Sequence, residues 1–358
     1  MFEDYKEKLM NNLSGLRQEN GTFRASWSDE YNFTWVRDNF WNNLSYLNND
    51  FDKYVQTCQT HLDFLKMYEN DYDHKISWLI KDTHVDYKNQ SRFIHPKINF
   101  DGTEVEGLKW NFMQLDTIPY YINMMYFSWK RSNGKQPFRD YEDRKMIQLL
   151  VKVIEKMDIC NVNFGSAWEE ENEVFLSNIS LCMLALENAY EMGFDVNREE
   201  LRKIRRKVYG MIPYERTGRE WDLTMLFPCV LGVFKPIDIE DIVNGVTREL
   251  STKLGVKRYK GDIYKPFDKN LHCNDSKQPC KEEMSWIMGF GYLSYINSKY
   301  GNREIAKQYI ENIITRFPDG NIPEGVNEKD IPCVNSPLAW SISSLIISID
   351  AYNHTYIN

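Results

Sequence analysis

Apolar residues recur at helical spacing along almost the whole chain, and clean alternation at period two is nearly absent. Met146, Leu149, Leu150, Val153 and Met157 follow the i, i+3, i+4 rule of an amphipathic helix. Leu181, Leu184, Ala185 and Ala189 repeat it, with Gly193 as the stop. Asn197 then opens the next helix, with Glu200 as its capping-box partner. Ile305, Tyr309, Ile310, Ile313 and Phe317 form another stripe, ended by Pro318. Ser336–Pro337 reads as an N-cap followed by proline at the first helical position. It starts a helix bearing Leu338, Ile342, Leu345, Ile346 and Ile349. About eleven or twelve such stretches are expected, joined by loops of uneven length. Short β pieces are expected only around Val174–Phe175 and Gly255–Tyr259. No linker, low-complexity stretch or exact repeat divides the chain. The expectation is one all-α domain of paired helices over residues 1–358, and periodicity alone does not say how the pairs are arranged.

Composition excludes several classes of function. The formal charge is −8 and no long basic block occurs, which argues against a nucleic-acid partner. The one basic cluster, Arg202 to Lys207, falls on a helical stretch and reads as a solvated face. The seven cysteines (58, 160, 182, 229, 273, 280 and 333) are odd in number and widely spaced, so no disulfide framework is expected. His272–Cys273 and Cys280 lack a second pair at zinc spacing, so no metal or other cofactor is expected. The most apolar run, Met225–Phe234, is broken by Pro228 and too short to span a bilayer. No signal peptide is visible, so a cytoplasmic location with no membrane partner is expected. The aromatic share is 14%, with 10 Trp and 22 Tyr. That suits either a ring-rich core or a cleft that stacks sugar rings.

Four segments between helices carry chemistry-bearing residues. Tyr31–Asn32–Phe33–Thr34–Trp35–Val36–Arg37–Asp38 sets a guanidinium fork beside a carboxylate, a pair suited to vicinal hydroxyls. It also suits a salt bridge at a helix start. Trp110 to Asp116, with Gln114 between, offers a stacking ring ahead of polar groups, and Trp110 equally suits an ordinary core position. Trp168–Glu169–Glu170–Glu171 crowds three acids behind a ring, which in a cleft raises at least one carboxyl pKa. On a surface the same run is merely solvated. Asp319 to Gly325 holds Glu324 between Pro323 and Gly325 in a turn. Glu169 and Glu324 together supply the carboxyl pair that glycoside hydrolysis needs.

Taken in order, these segments resemble glycoside hydrolase family 15, the glucoamylase-like enzymes. More distantly they resemble the phosphorylase kinase α-subunits. The motifs are Tyr31-x-x-x-Trp35-x-Arg37-Asp38, Trp110 with Gln114-x-Asp116, Trp168–Glu169–Glu170, Arg258–Tyr259 with Asp262 and Tyr264, and Glu324 followed by Pro337–Leu338–Ala339–Trp340–Ser341. The resemblance implies an (α/α)6 barrel with its site at one end and an inverting mechanism. Carried over by position, Glu169 is the general acid and Glu324 the general base. Arg37, Asp38 and Arg258 hold hydroxyls of the terminal sugar, and Tyr31 sits beside the reacting centre. Trp35 packs on the sugar, and Trp110 and Glu170 line the next subsite. Gln114, Asp116, Trp168, Tyr259 and Trp340 complete the expected substrate-binding set. The implied substrate is a soluble α-glucoside, such as a malto- or isomalto-oligosaccharide or trehalose. The oligomeric state is not specified.

The chain departs from the family in two ways. Gly325 follows the base where glutamine is usual. The catalytic region begins almost at residue 1, without the N-terminal β-sandwich of many bacterial members. Two rival readings stand beside this one. A non-catalytic sugar-binding or regulatory module keeps the hydroxyl-gripping residues and loses the carboxylates, yet both are present here. Lyases, epimerases and unsaturated-uronide hydrolases on other helical barrels recruit His, Tyr or Arg. The six histidines here stand at none of the matched positions.

Overall fold

The computed structural model describes residues 2–70, 75–81, 93–105, 111–264 and 283–357. Their regular structure is almost entirely helical. Contacts divide the chain into two compact units. The first comprises Met1–Arg17, Phe23–Asn32 and Thr217–Asn358, and the second Gln18–Thr22 and Phe33–Arg216.

The second unit contains β1 (Thr34–Trp35), α2 (Val36–Asn49), α3 (Phe51–Asn70), α4 (Lys75–Lys81), β2 (Lys97–Ile98), α5 (Thr117–Arg131), α6 (Tyr141–Lys156), α7 (Leu176–Glu191) and α8 (Arg198–Met211). Two kinds of helix alternate here. Helices α2, α5 and α7 are buried over most of their length, and polar residues on them are buried as well. Helix α6 buries one stripe of Met146, Ile147, Leu150, Val153 and Ile154, while α8 buries only Ile204 and Val208. The rest of α8 is solvated, as its sequence suggests. Lys203 pairs with Asp158 at 2.6 Å and Arg205 with Glu187 at 2.5 Å.

The first unit contains α1 (Glu3–Gly15), α9 (Leu226–Val230), α10 (Pro236–Leu250), β3 (Ser285–Trp286), α11 (Met288–Tyr300), α12 (Arg303–Arg316), β4 (Gly325–Val326) and α13 (Ala339–Tyr352). The alternation continues. Helices α9, α11 and α13 are buried along nearly every side, and α1, α10 and α12 along one stripe. Helices α11 and α13 pack closely because Gly291 has no side chain. A Cβ there would lie 2.5 Å from Ser344 Oγ and 2.8 Å from the Ser344 backbone carbon. Crowding of that kind costs about 1–3 kcal/mol.

Side chains cap the starts of α6, α8 and α12, from Asp140, Asn197 and Asn302. Asn197 Oδ1 accepts from the backbone N–H of Glu199 at 3.0 Å and of Glu200 at 3.3 Å. The expected reciprocal bond from Glu200 does not form. Glu155, arriving from α6, accepts from the Asn197 N–H at 2.6 Å, and Glu200 binds Lys203 at 3.2 Å. Gly193 ends its turn with φ at 83°.

The start of α13 corrects the sequence expectation. Ser336–Pro337 is a cis peptide outside the helix, and Leu338 is the capping residue. The reason is tertiary. The Leu338 N–H donates to the Ile322 carbonyl and the Ala339 N–H to the Ala25 carbonyl, both at 2.8 Å, which holds residue 338 extended.

The β content is small and lies beside the motifs. β1 pairs antiparallel with β2, and β3 with β4. Two-residue strands are too short to show alternation. Of the expected β pieces, Gly255–Tyr259 survives only as single bridges of Val256 to Ser251 and to Trp286, whereas Val174–Phe175 forms none: the bridge beside it joins Phe164 to Glu173, and Phe175 caps α7.

Candidate active site

The acid-bearing cluster lies within the second unit. Antiparallel pairing of Trp35 with Lys97 sets the entry to α2 and makes Trp35 its N-cap. Arg37 and Asp38 therefore fall in the first turn. Arg37 is only 5% exposed. Its Nη1 donates to Asp116 Oδ2 at 3.0 Å and to Gln114 Oε1 at 3.1 Å. Its Nη2 donates to Glu169 Oε1 at 2.9 Å. Asp38 Oδ2 lies 4.0 Å from Nε. One guanidinium thus meets three carboxylates. Their charge outweighs the cost of burial and raises the Arg37 pKa above its ordinary value. Burial pushes the Asp116 carboxyl up, against the pull of Arg37.

Backbone geometry aims Glu169 at Arg37. Gly165 bridges in parallel to Gln114, and its N–H donates to the Met113 carbonyl at 2.8 Å. A Cβ on Gly165 would lie 2.7 Å from Asn111 Nδ2, so this close approach needs glycine. Asn178 of α7 fixes the Gly165 carbonyl from below at 2.8 Å. The turn then closes through the Glu169 N–H to the Ser166 carbonyl at 3.0 Å. Glu169 itself has φ at 62°, left-handed backbone that is uncommon for a residue with a Cβ. Its side chain keeps 25% exposure, and Trp168 beside it is buried. Glu215, wholly buried, anchors the start of α7 behind this turn by accepting from Ser177 Oγ at 2.5 Å.

The base-bearing cluster lies within the first unit. Glu324 is 4% exposed and directly precedes β4. Asn335 Nδ2 donates to its Oε2 at 2.8 Å, Tyr31 Oη to its Oε1 at 3.0 Å, and Tyr264 Oη to its Oε2 at 3.3 Å. The Cys333 thiol stands 4.0 Å from Oε2, and burial with the carboxylate beside it pushes the thiol pKa up to about 12. Burial raises the Glu324 pKa, while the donors from Asn335 and Tyr31 and the charge of Arg258 pull against that rise. A carboxylate held closer to neutrality is a stronger base. Arg258 is locked to Asp262 by Nε at 2.7 Å and a second, parallel bond from Nη2. Its guanidinium lies over the Tyr264 ring at 4.9 Å.

No protein-family model matches the sequence, and no curated protein matches it either. Solved structures do match. A wild-type glycosidase is similar with a TM-score of 0.79 at 15% identity, over 98% of this chain and 97% of that one. A glycosidase variant in complex with glucose gives 0.80 at 14% identity over the same shares. The glucoamylase of Saccharomycopsis fibuligera gives 0.64 at 14% identity, over 99% of this chain and 95% of that one. The chain has the glucoamylase-type helical-barrel fold. The expected all-α (α/α)6 class is met, and the alternation of fully buried and one-sided helices is its signature along the chain. At these identities the likeness is one of fold.

Within this barrel-type chain the expected binding residues separate into distinct positions. Tyr31 touches Glu324 directly. Trp35 is 7% exposed, and Lys97 Nζ lies 4.5 Å from its ring centroid. Gln114 and Asp116 lie behind Arg37 with exposures of 0% and 1%. Glu170 is exposed, and its carbonyl accepts from Asn111 at 3.1 Å. Tyr259 is stacked under Arg219, whose guanidinium is 3.5 Å from the ring centroid. Trp340 is buried with Phe227 at 5.5 Å and donates its Nε1–H to Tyr292 Oη. Trp110, His272, Cys273 and Cys280 lie outside the described residues. Asn335 escaped the sequence reading. It reaches Glu324 only because the chain doubles back, with the Glu324 N–H on the Asn335 carbonyl at 3.0 Å and the Cys333 N–H on the Gly325 carbonyl at 3.0 Å.

Proposed function

We propose that this chain is an inverting glycoside hydrolase that releases glucose from the non-reducing end of a soluble α-glucoside. The observation that carries the reading is Glu324. It is a buried carboxylate whose oxygens are held by an amide and two phenols, in a shell with no cation bonded directly to it among the described residues. Such a group suits the general base. Glu169, partly exposed and reached by Arg37, takes the acid's part. The glycosidase fold supports hydrolysis, and the neighbour bound to glucose supports that sugar.

In this reading Glu169 gives its proton to the glycosidic oxygen as the C–O bond breaks. Glu324 takes a proton from the water whose oxygen bonds to the anomeric carbon from the opposite face. The two carboxyls then exchange protons with solvent and return to their starting states. Arg37, Asp38 and Arg258 hold hydroxyls, Trp35 backs the sugar, and Trp110 and Glu170 serve the leaving portion.

Incubation with maltose, isomaltose and trehalose, with assay of free glucose, tests the reading. Release from at least one is expected. The rate should fall on the acid side through a group lying above the ordinary carboxylate range, because Glu324 must be ionised to act. Binding of these sugars with no release from any of them would favour the non-catalytic sugar-binding module.

A further inference from the structure

Two of the donors that hold Glu324 lead back to one serine. Asn335 is 1% exposed and reaches Glu324 Oε2 with its side-chain amide at 2.8 Å. The two ends of an amide are alike in shape and opposite in hydrogen bonding. Turned the other way, Asn335 would set its oxygen against a carboxylate that can only accept. Ser28 selects the orientation. Its Oγ donates to Asn335 Oδ1 at 3.1 Å, which leaves the NH2 group for Glu324. The same residue precedes the short turn Asp29–Tyr31, and its carbonyl accepts from the Tyr31 N–H at 3.0 Å. Buried backbone delivers Ser28 to this place. Ser26 bridges antiparallel to Leu338, and the Ala339 N–H donates to the Ala25 carbonyl at 2.8 Å. Residue 28 therefore runs alongside the segment that carries Asn335.

We propose that Ser28 is a positioning residue for the general base, whose hydroxyl keeps the Asn335 amide turned to Glu324 and so holds the carboxylate in place to take a proton from water. This rests on the reading of Glu324 as the base. Ser28 does not touch Glu324 through its side chain, so its effect must pass through Asn335. A donor on a carboxylate favours the charged form. Burial raises the Glu324 pKa, and the Asn335 donor is the largest of the influences that pull against that rise. Loosening the amide should therefore make the base harder to ionise. The titratable groups that face Glu324 are Tyr31, Tyr264 and Cys333, and Arg258 is the nearby charge, itself paired with Asp262. Burial pushes Tyr264 and Cys333 up, so both stay neutral while Glu324 titrates.

The test reads the Glu324 carboxyl directly, by ¹³C NMR titration with the resonance assigned through Glu324→Gln. This readout does not depend on hydrolysis. Ser28→Ala removes the hydroxyl and keeps the carbonyl that supports Tyr31. The Glu324 titration should move up by about half a pH unit or more. The acid limb of kcat/KM should move up with it, while the basic limb stays. Ser28→Thr keeps the hydroxyl and should restore the wild-type titration. Asn335→Ala should move the titration at least as far as Ser28→Ala. The double variant should move it no further than Asn335→Ala alone, because the hydroxyl acts through the amide. Ser28→Cys puts a weak donor at the same place and should give a smaller shift in the same direction, which provides a second variant if Ser28→Ala fails to fold. A stationary Glu324 titration in the folded Ser28 variants, or a double variant whose shift is the sum of the single ones, would overturn the proposal. A titration that moves while the acid limb stays would uphold the hold of Ser28 on Glu324 and instead remove Glu324 as the base.

Discussion

Glu169→Gln is expected to lower kcat by about 10³-fold or more, with a much smaller change in KM, because the leaving oxygen would depart as an unprotonated alkoxide. The substitution keeps the volume, and its carbonyl oxygen can still accept from Arg37 Nη2, so the cluster should survive folding. The leaving group decides between loss of an acid and general damage. A dinitrophenyl glucoside expels a stable anion and needs no proton. Its hydrolysis by Glu169→Gln should recover most of the lost rate, while the ordinary disaccharide stays slow. Equal loss on both substrates would mean that the glutamate positions substrate and does not donate a proton.

Glu324→Gln should lose a comparable factor, about 10²–10⁴-fold, with the opposite response to the leaving group. Water attack still needs a base, so an activated leaving group brings no recovery. This variant should also be less stable. A carboxylate can accept from Asn335, Tyr31 and Tyr264 at once. A glutamine offers one oxygen and turns an NH2 group toward at least one of those donors. Stranding a buried donor costs about 1–3 kcal/mol, visible as a lower Tm. Recovery of Glu324→Gln with the dinitrophenyl glucoside would exchange the two roles.

The helical architecture was open to reading because the burial stripe is written at each turn. Met146, Leu150 and Val153 on α6 and Ile310 and Ile313 on α12 mark it directly. Its exceptions came from distant partners. Ser336 has every local mark of a cap, yet hydrogen bonds to Ile322 and Ala25 hold the chain extended until Leu338. Glu200 lost its capping partner to Glu155 for the same kind of reason. The strands beside Trp35 and Glu324 are two residues long and leave no period to detect.

The chemistry divides in the same way. Arg37, Glu169 and Glu324 stand in recognisable surroundings, and a chain read in order suggests them. What tunes them is not local. Asn335 is an unremarked amide until the hairpin folds it over Glu324. Asp116 is expected in the substrate-binding set, and its burial behind Arg37 and its bond to that guanidinium are not legible in the sequence. Trp340, expected against a sugar, is held by Tyr292 and Phe227 in the core of its unit.

The central claim is that two carboxylates, one donating a proton and one activating water, divide the hydrolysis of a glucosidic bond. An inverting pair leaves the water's oxygen on the face opposite the departing group. Proton NMR of the product within the first minutes of reaction on an α-glucoside reads that face directly, before the anomers exchange. The account predicts β-glucose first, with the α-anomer growing in afterwards. α-Glucose as the first product would contradict it, since that requires a covalent intermediate on one of the two glutamates.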